Sequence, residues 1–404
     1  MEPARDLLAA AVDLQPGTVA LRRRLHRRPE VGLTLPETQA TVLDAIAGLP
    51  LKVTTGTAVT SVVGVLEGGR PGPAVLLRGD MDALPMPEDT GLEFASEIPG
   101  VMHACGHDTH VAMLVGAAKL LSARQDSLAG RVVFMWQPGE EGYGGAPVMI
   151  EEGVLDAAGS PVESAFALHI TTQQPSGVVA VRPGPAMASS DTIRIVVTGR
   201  GGHASNPTAG LDPVPIAAAI VQGIQTMVTR EVNVFDPAVV TIAKITAGTT
   251  DNVIPETAEM LGTMRTLSEQ TRASVKERLH RLAPGIAAAF GATAEVTIEE
   301  GYPVVVNSLA AADLVHSTAL GMLGPDRALL EKDPIMGAED WSYVLQRVPG
   351  AMTWLGACPP DLDPASSPSN HSNRVVFDEN AMAVGVATHA AVALAALEAK
   401  PAGW

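Results

Sequence analysis

The chain has 404 residues, of which 46% are hydrophobic and 18% charged, an ordinary composition for a soluble globular protein. This length is enough for two or three domains with a sizeable core. The formal net charge of −17 gives a surface that repels phosphate backbones and anionic lipid, so we expect neither nucleic acid nor membrane partners.

The first part of the chain alternates helix-like and strand-like segments. Helical periodicity is present in 36–49 and 109–121, and strand-like patterns are present in 61–68, 73–80, 131–138 and 164–170. Strands that alternate with helices predict an α/β fold with a largely parallel sheet and a layered architecture. In such sheets, ligands bind beyond the carboxyl ends of the strands.

The middle of the chain has a different order of elements, strand–helix–strand–strand–helix–strand. The six segments are 191–199, 213–230, 238–248, 256–266, 268–290 with Ser268 as its N-cap, and 293–301. This order is typical of a ferredoxin-like α+β unit. Because helix-like sequence resumes at 308–323, we predict that this unit is inserted into the α/β domain. The predicted domains are 1–186 and 301–404, which together form the α/β domain, and 187–300, which forms the inserted one.

The longest apolar run, Ala381 to Leu397, is rich in alanine and short for a membrane span, so we predict a buried C-terminal helix. The N-terminal sequence MEPARDLLAA lacks a basic segment followed by an apolar one, and we expect no secretory signal. Two cysteines, Cys105 and Cys358, are too few for a disulfide framework. Reduced thiols are typical of the cytoplasm, where we expect this protein to be located.

Side chains that bind metals or move protons are concentrated in a few short segments at predicted strand ends or in loops. They are RGDMDALP (78–85), HACGHD (103–108), QPGEEG (137–142), the histidine that ends the predicted strand at His169, and the loop SPSNHSN with His371. Each segment alone is weak evidence, since a histidine at a strand end is more often a structural residue. Thiolate, imidazole and carboxylate groups at several adjoining strand ends are, in combination, what a divalent transition metal needs.

Two further histidines, His103 in the second segment and His110 just after it, are interpreted as structural. In the third segment, the adjacent carboxylates Glu140 and Glu141 point in different directions. One can therefore bind a metal while the other acts as a general base towards water. Their spacing alone does not decide which residue has which role.

Taken together, these segments resemble the M20 metallopeptidase family, and specifically its amidohydrolase branch of aminoacylases, hippurate hydrolases and auxin-conjugate hydrolases. The resemblance spans nearly the whole chain. Its motifs are LRRRLHRRPEVGL (21–33), RGDMDALP, MHACGHDTHVAMLVGAAKLL (102–121), QPGEEGYGGAPVMIEEGVL (137–155), ALHI (167–170), GPAMASSD (184–191), GRGGHAS (199–205), GAEDWSY (337–343) and the His-Ser pair at 371–372.

The resemblance implies two divalent metal ions, such as manganese, zinc, cobalt or nickel. The implied ligands are Cys105, His107, Glu141, His169 and His371. Glu140 would be the general base and then the proton donor to the leaving amine. Asp82 would orient a ligand histidine.

The family's inserted domain serves as a lid and as a dimerisation surface, which implies a homodimer or homotetramer. Its histidine, here His203, would reach the partner's cleft and stabilise the oxyanion. Asn252 and Arg265 would hold the carboxylate of the substrate, although an arginine such as Arg265 also commonly forms only a surface ion pair.

The expected reaction is hydrolysis of a small-molecule N-acyl amino acid, carrying an N-acetyl, N-benzoyl or similar group, to a carboxylic acid and a free amino acid. A dipeptidase or carboxypeptidase on the same dinuclear site is the alternative. A non-catalytic binding module and a metal storage or sensing protein remain open as other classes. The acyl group, the amino-acid side chain, its stereochemistry and the physiological metal do not follow from the sequence.

The chain departs from the family pattern at four places, none of which is an implied ligand. Gly79 replaces the usual alanine, Thr208 replaces a histidine after Pro207, Asn373 follows the His-Ser pair instead of proline, and Trp341 replaces the commoner phenylalanine. We expect Thr208 and Trp341 to affect the choice of substrate more than the chemistry.

Overall fold

A computed structural model of the chain describes residues 2–399, which divide into two compact units. The first unit runs to Ala186, includes Val306–Asp333 and resumes at Asp340. The second unit consists of Met187–Val305 and Pro334–Glu339.

The first unit is a mixed α/β structure. Its helices are α1 (Glu2–Arg27), α2 (Pro36–Ala45), α3 (His107–Ser122), α4 (Gly145–Glu151), α7 (Leu309–Leu323), α8 (Ser342–Leu345) and α9 (Ala381–Glu398). Its main strands are β1 (Leu51–Thr55), β2 (Val62–Glu67), β3 (Arg70–Asp80), β4 (Ala129–Gln137), β5 (Ser164–Pro175), β6 (Val179–Val181), β15 (Ala328–Leu330) and β16 (Gly350–Cys358). Two short strands, β7 (Gly184–Met187) and β14 (Val305–Asn307), pair with each other.

The eight main strands form one sheet in the order β1-β2-β4-β3-β5-β16-β6-β15. Four of its seven pairings are parallel, namely β3 with β4, β3 with β5, β5 with β16 and β6 with β15. The α/β class and the large, mostly parallel sheet are therefore confirmed. Strand β16 lies in the interior of this sheet, and all nine of its residues are buried.

Helices α1, α3 and α9 pack against one another, and α3 and α9 also contact the sheet. Close approach of α3 and α9 depends on small residues, because a Cβ at Gly385 would lie 2.1 Å from Met113 Sδ and one at Gly116 would lie 2.6 Å from Val386 Cγ2. Among the described helices, only α9 is long and apolar enough to cross a membrane, but most of it is buried inside the protein. The predicted buried C-terminal helix is thus present.

The second unit has the predicted strand–helix order. Its elements are β8 (Asp191–Thr198), β9 (Gly202–His203), α5 (Pro213–Glu231), β10 (Ala238–Ala247), β11 (Val253–Ile254), β12 (Thr257–Thr266), α6 (Glu269–Ala289) and β13 (Thr293–Glu300). Four strands form an antiparallel sheet in the order β10-β12-β8-β13, and β9 pairs with β11. Ser268 caps α6 by accepting a hydrogen bond from Thr271 N, as predicted.

Candidate metal centre

The segments RGDMDALP and QPGEEG, which carry the acidic residues, leave the sheet next to each other. They do so because the strands that precede them, β3 and β4, are paired in parallel. Strand β3 ends at Asp80 and β4 ends at Gln137, and these two residues are register partners. The chain then places Asp82 just after β3 and the Glu140–Glu141 pair just after β4. Carboxylates that are distant in sequence therefore meet at one edge of the sheet.

His169 reaches the same region from within β5. The prediction that a strand ends at this residue was wrong, because β5 continues to Pro175. However, β3 pairs with β5 only as far as Arg78 opposite Ala167. His169 therefore lies just beyond the paired part of β3, and its side chain is buried.

Cys105 and His107 flank Gly106 at the start of α3. Gly106 has a φ of +85°, and a Cβ at this position would lie 2.5 Å from Ile170 Cγ2. Both the backbone conformation and the lack of space require glycine here. The N-terminal end of α3 also favours a thiolate, because the amide dipoles of a helix are positive at this end.

The side chains of the five predicted ligands converge in two overlapping groups. In the first group, the ligand atoms of Cys105, His107 and His169 all lie within 4.8 Å of one another, with Cys105 Sγ 3.3 Å from His169 Nε2. In the second group, those of Cys105, Glu141 and His371 meet the same limit, with His371 Nε2 3.1 Å from Glu141 Oε1. Because Cys105 belongs to both groups, its sulfur lies between two sets of donors.

The two buried imidazoles are oriented by backbone carbonyls. A carbonyl can only accept, so His107 Nδ1 donates to Asp82 O at 2.9 Å and His169 Nδ1 donates to Ile170 O at 2.7 Å. In each neutral ring, the other nitrogen then carries a lone pair. His107 Nε2 is buried and has no hydrogen-bond partner among the described residues. This buried nitrogen lies 3.4 Å from Asp80 Oδ2 and beside the Cys105 sulfur, an arrangement that a bound cation would satisfy.

Asp82 also fixes the segment that carries the two glutamates. Its carboxylate accepts hydrogen bonds from the backbone amides of Glu140 at 2.9 Å and Glu141 at 3.0 Å. The Glu140 side chain is buried, and its carboxylate lies within 4.8 Å of ligand atoms of His107 and Glu141. The Asp82 carboxylate thus fixes the backbone that places both glutamate side chains near His107.

The electrostatic field of the cluster favours positive charge. Burial raises the pKa of the Cys105 thiol, but the imidazoles of His169 and His107 outweigh it and hold this pKa well below its ordinary value. Hydrogen bonds to Cys105 and Glu141 raise the pKa of His371 to about 10. A set of one thiolate, three imidazoles and carboxylates with these properties fits divalent transition-metal ions.

His103 and His110 are both fully buried. His110 Nδ1 is 2.5 Å from Asp80 Oδ1, and its Nε2 accepts the backbone N–H of Ile170 at 2.8 Å, so both ring nitrogens are already bonded. Burial lowers the pKa of His110 to about 4 and that of His103 to about 3. These contacts support a structural role for His110. Both nitrogens of His103 have no hydrogen-bond partner among the described residues.

A buried ion network behind the cluster was not predicted from the sequence. The Arg78 guanidinium donates to Asp80 at 2.6 Å, Gln137 at 3.0 Å and Asp340 at 3.2 Å. The feature of the sequence that could have revealed this network is an arginine inside the apolar strand β3, because a buried charge requires partners of opposite sign. The partner Asp340 lies in the segment GAEDWSY, too far along the chain for local spacing to identify it.

Asn370 was also missed. Its side-chain Nδ2 donates to the backbone carbonyls of Cys105 and Ile170, at 3.0 Å each. The only feature of the sequence that pointed to Asn370 was its position next to His371.

The remaining three predicted residues lie in the second unit. His203 on β9 is the register partner of Val253, and the neighbouring Ala204 amide donates to Asn252 O at 3.0 Å, so the structure brings His203 and Asn252 together. Since a backbone amide can only donate, Ser205 N donates to His203 Nδ1 at 3.1 Å. Arg265 lies on β12, where partial burial lowers the pKa of its guanidinium.

The chain resembles known proteins over nearly its full length. Residues 76–395 match the model of peptidase family M20/M25/M40. The thermostable carboxypeptidase 1 of Saccharolobus solfataricus is 39% identical over 386 residues, which cover 95% of this chain and 96% of that protein. The N-acetylcysteine deacetylase of Bacillus subtilis is 36% identical over 381 residues, which cover 94% of this chain and 97% of that protein. Among solved structures, a Bacillus subtilis protein described as a dinuclear metal-binding peptidase matches with a TM-score of 0.83 and 32% identity, covering 96% of this chain and 99% of that one.

Proposed function

Since the chain belongs to peptidase family M20/M25/M40, we propose that it is a metal-dependent hydrolase that cleaves the amide bond of N-acyl amino acids. The products are a carboxylic acid and a free amino acid. The observation that carries this proposal is the meeting of Cys105, His107, Glu141, His169 and His371, with the buried carboxylate of Glu140 beside them. The Bacillus subtilis relative that deacetylates N-acetylcysteine supports the substrate class.

We assign these five residues as the side chains that would hold two divalent cations, with Cys105 or a solvent molecule as the ligand that the cations would share. Manganese, zinc, cobalt and nickel all accept this mixture of sulfur, nitrogen and oxygen donors. Two cations there would polarise the acyl carbonyl and lower the pKa of a water molecule towards neutrality. The overlap of two donor groups at Cys105 supports the count of two.

Glu140 is the proton carrier of the proposed reaction. It accepts the proton of the attacking water as the new C–O bond forms at the acyl carbon. It then gives that proton to the amine nitrogen as the C–N bond breaks. Asp82 has a positioning role, because its carboxylate holds the backbone of both Glu140 and Glu141.

We propose that residues 187–300 act as a lid and as the surface through which the protein forms a homodimer or homotetramer. In this unit, His203 would donate to the oxyanion, and its Nε2 carries the proton in the neutral ring because Nδ1 accepts from Ser205 N. Asn252 and Arg265 would bind the substrate carboxylate. The two free cysteines support a cytoplasmic location.

A carboxypeptidase or dipeptidase activity at the same site is the second candidate, favoured by 39% identity to the Saccharolobus solfataricus carboxypeptidase. Both reactions need the same cations and the same base. They differ in what is bonded to the scissile nitrogen and carbonyl, so only substrates separate them.

The test is a substrate panel assayed on protein loaded in turn with manganese, zinc, cobalt and nickel. The panel contains N-acetyl amino acids of both configurations, hippurate, dipeptides and longer peptides. Faster turnover of the N-acyl amino acids supports the proposal, and faster turnover of the peptides supports the second candidate. If no substrate is turned over with any metal, both candidate activities are contradicted, and a non-catalytic binding protein is the remaining explanation.

The assignment of the base is tested in the same assay with Glu140→Gln, which keeps the shape of the side chain and removes its basicity. We expect kcat to fall by about 10²- to 10⁴-fold while the metal content stays at the wild-type level. Cys105→Ser and His371→Ala should instead lose metal. Exposed Glu151 at the end of α4 supplies the matched control, Glu151→Gln. A near-wild-type kcat of the Glu140 variant would show that the base is another group.

A further inference from the structure

The loop that carries His371 is attached to the metal centre by the side chain of the preceding residue, Asn370. The carboxamide Nδ2 has two hydrogens, and it donates to the carbonyl oxygens of Cys105 and Ile170, each at 3.0 Å. Both donors of this amide are therefore used on backbone acceptors. The same nitrogen lies 3.9 Å from Cys105 Sγ.

The two carbonyls belong to segments that carry other predicted ligands. Cys105 is itself one of the assigned ligands, and Ile170 directly follows His169. The Ile170 oxygen also accepts the Nδ1 proton of His169 at 2.7 Å. Asn370 thus holds the oxygen that orients the His169 ring, and this ring presents its Nε2 to Cys105 at 3.3 Å.

The third ligand segment is held through the chain itself. His371 follows Asn370, and its backbone N–H donates to Ala104 O at 2.9 Å. His371 has a φ of +69°, the only positive φ of a non-glycine residue in the described chain. This conformation costs about 1–2 kcal/mol for a residue with a Cβ, so surrounding contacts must maintain it. The side-chain hydrogen bonds of Asn370 supply such contacts at the residue that immediately precedes His371.

We propose that Asn370 is a positioning residue that fixes the relative placement of Cys105, His169 and His371 and so sets the affinity of the centre for its cations. The inference rests on the ligands assigned in the proposed function. It adds that a residue outside the ligand set determines whether the two donor groups lie close enough to share the Cys105 sulfur.

The test compares Asn370→Asp and Asn370→Ala with wild type by titrating the metal-free full-length protein with cobalt. Asn370→Asp keeps the shape of the side chain, removes both N–H donors and places a carboxylate against two carbonyl oxygens. Asn373→Asp makes the same chemical change three residues further on, and serves as the matched control. The readouts are the number of cobalt ions bound, their affinities and the thiolate-to-cobalt absorption band.

We expect both Asn370 variants to bind at least one cobalt ion about 10- to 100-fold more weakly, with a changed thiolate band. The control should retain the wild-type affinity and band. Circular dichroism and thermal unfolding of the metal-free variants are measured in parallel. Variants that fail to fold without metal would overturn the inference, because they would show a general structural role.

Cobalt binding is measured without substrate, which separates the two proposals. Folded Asn370 variants with wild-type affinity, stoichiometry and absorption contradict this inference and leave the proposed hydrolase untouched. A wild-type protein that binds cobalt but hydrolyses no member of the substrate panel contradicts the proposed function and leaves the role of Asn370 standing.

Discussion

The backbone carbonyl of Asp82 accepts a hydrogen bond from His107 Nδ1 at 2.9 Å. The same residue uses its side-chain carboxylate on the amides of Glu140 and Glu141. The backbone of Asp82 therefore orients a proposed ligand, and its side chain, whose Oδ1 also lies 3.5 Å from His107 Nδ1, positions the proposed base. A substitution that changes only the side chain should separate these two roles.

We predict that Asp82→Asn lowers kcat by about 10- to 100-fold and leaves the metal content close to wild type. The carboxamide keeps the backbone contact to His107, but one of its two acceptor oxygens becomes an NH₂ group that faces a backbone N–H. The measurements are steady-state kinetics and metal analysis of the purified protein. Asp361→Asn, in an exposed loop, controls for the loss of one charge. An unchanged kcat would mean that the glutamate segment does not depend on this carboxylate.

Gly106→Ala should destabilise the protein and disturb the metal centre. Gly106 and Gly100 both have positive φ, +85° and +78°, but only at Gly106 would a Cβ meet a neighbour, Ile170 Cγ2 at 2.5 Å. Gly100→Ala therefore measures the backbone strain alone, about 1–2 kcal/mol. The variant at Gly106 should lose a further 1–3 kcal/mol, roughly the cost of overpacking, and bind cobalt more weakly. Urea unfolding and cobalt titration of the two variants give the comparison, and equal effects at both positions would contradict the steric argument.

The parts of the site that follow strands could be predicted from the sequence, because the carboxyl ends of parallel strands lie at one edge. This rule accounts for the meeting of the segments after β3 and β4, whose ends Asp80 and Gln137 are register partners. His169 reaches the site by a route that the rule does not describe, since its strand continues and only the neighbouring strand ends. The sequence pattern indicated that His169 belongs to the cluster, where the structure places its side chain, but it located the end of the strand wrongly.

The contacts that hold the site together could not be predicted, because their partners are distant in sequence. Asn370 bonds to Cys105, 265 residues away, and Arg78 bonds to Asp340, 262 residues away. No local periodicity encodes such pairs. The interior strand β16 was missed for a related reason, since a short apolar run is consistent with either a strand or a buried helix. Its place between β5 and β6 depends on pairing over a long separation.

In the second unit, Arg272→Ala should lower the free energy of unfolding by about 3 kcal/mol. Arg272 on α6 and Asp191 on β8 are both buried, and two guanidinium nitrogens donate to the carboxylate at 2.9 and 2.7 Å. Removal of the guanidinium leaves the buried carboxylate with only Lys276 Nζ, 3.2 Å from Asp191 Oδ1, as a cationic partner. Arg194→Ala is the matched control, because Arg194 pairs with Glu259 at the surface and should contribute less than about 1 kcal/mol. The measurement is urea unfolding of the full chain, and a similar loss in both variants would show that burial of the pair has no special importance.

His389 should make the protein less stable as the pH falls from about 6.5 to about 4. Its side chain is buried in α9, its Nε2 has no hydrogen-bond partner among the described residues, and burial lowers its pKa to about 4. An unfolded histidine titrates near pH 6.5, so the unfolded chain binds more protons across this window and about 3 kcal/mol of stability is lost by its lower end. His389→Leu should keep the free energy of unfolding at pH 8 and flatten its decline below pH 6.5, as measured by urea unfolding at several pH values. His280→Leu removes an exposed imidazole from α6 and should retain the wild-type decline. If the free energy of unfolding falls in the same way with pH in wild type and in His389→Leu, the acid sensitivity arises from other groups.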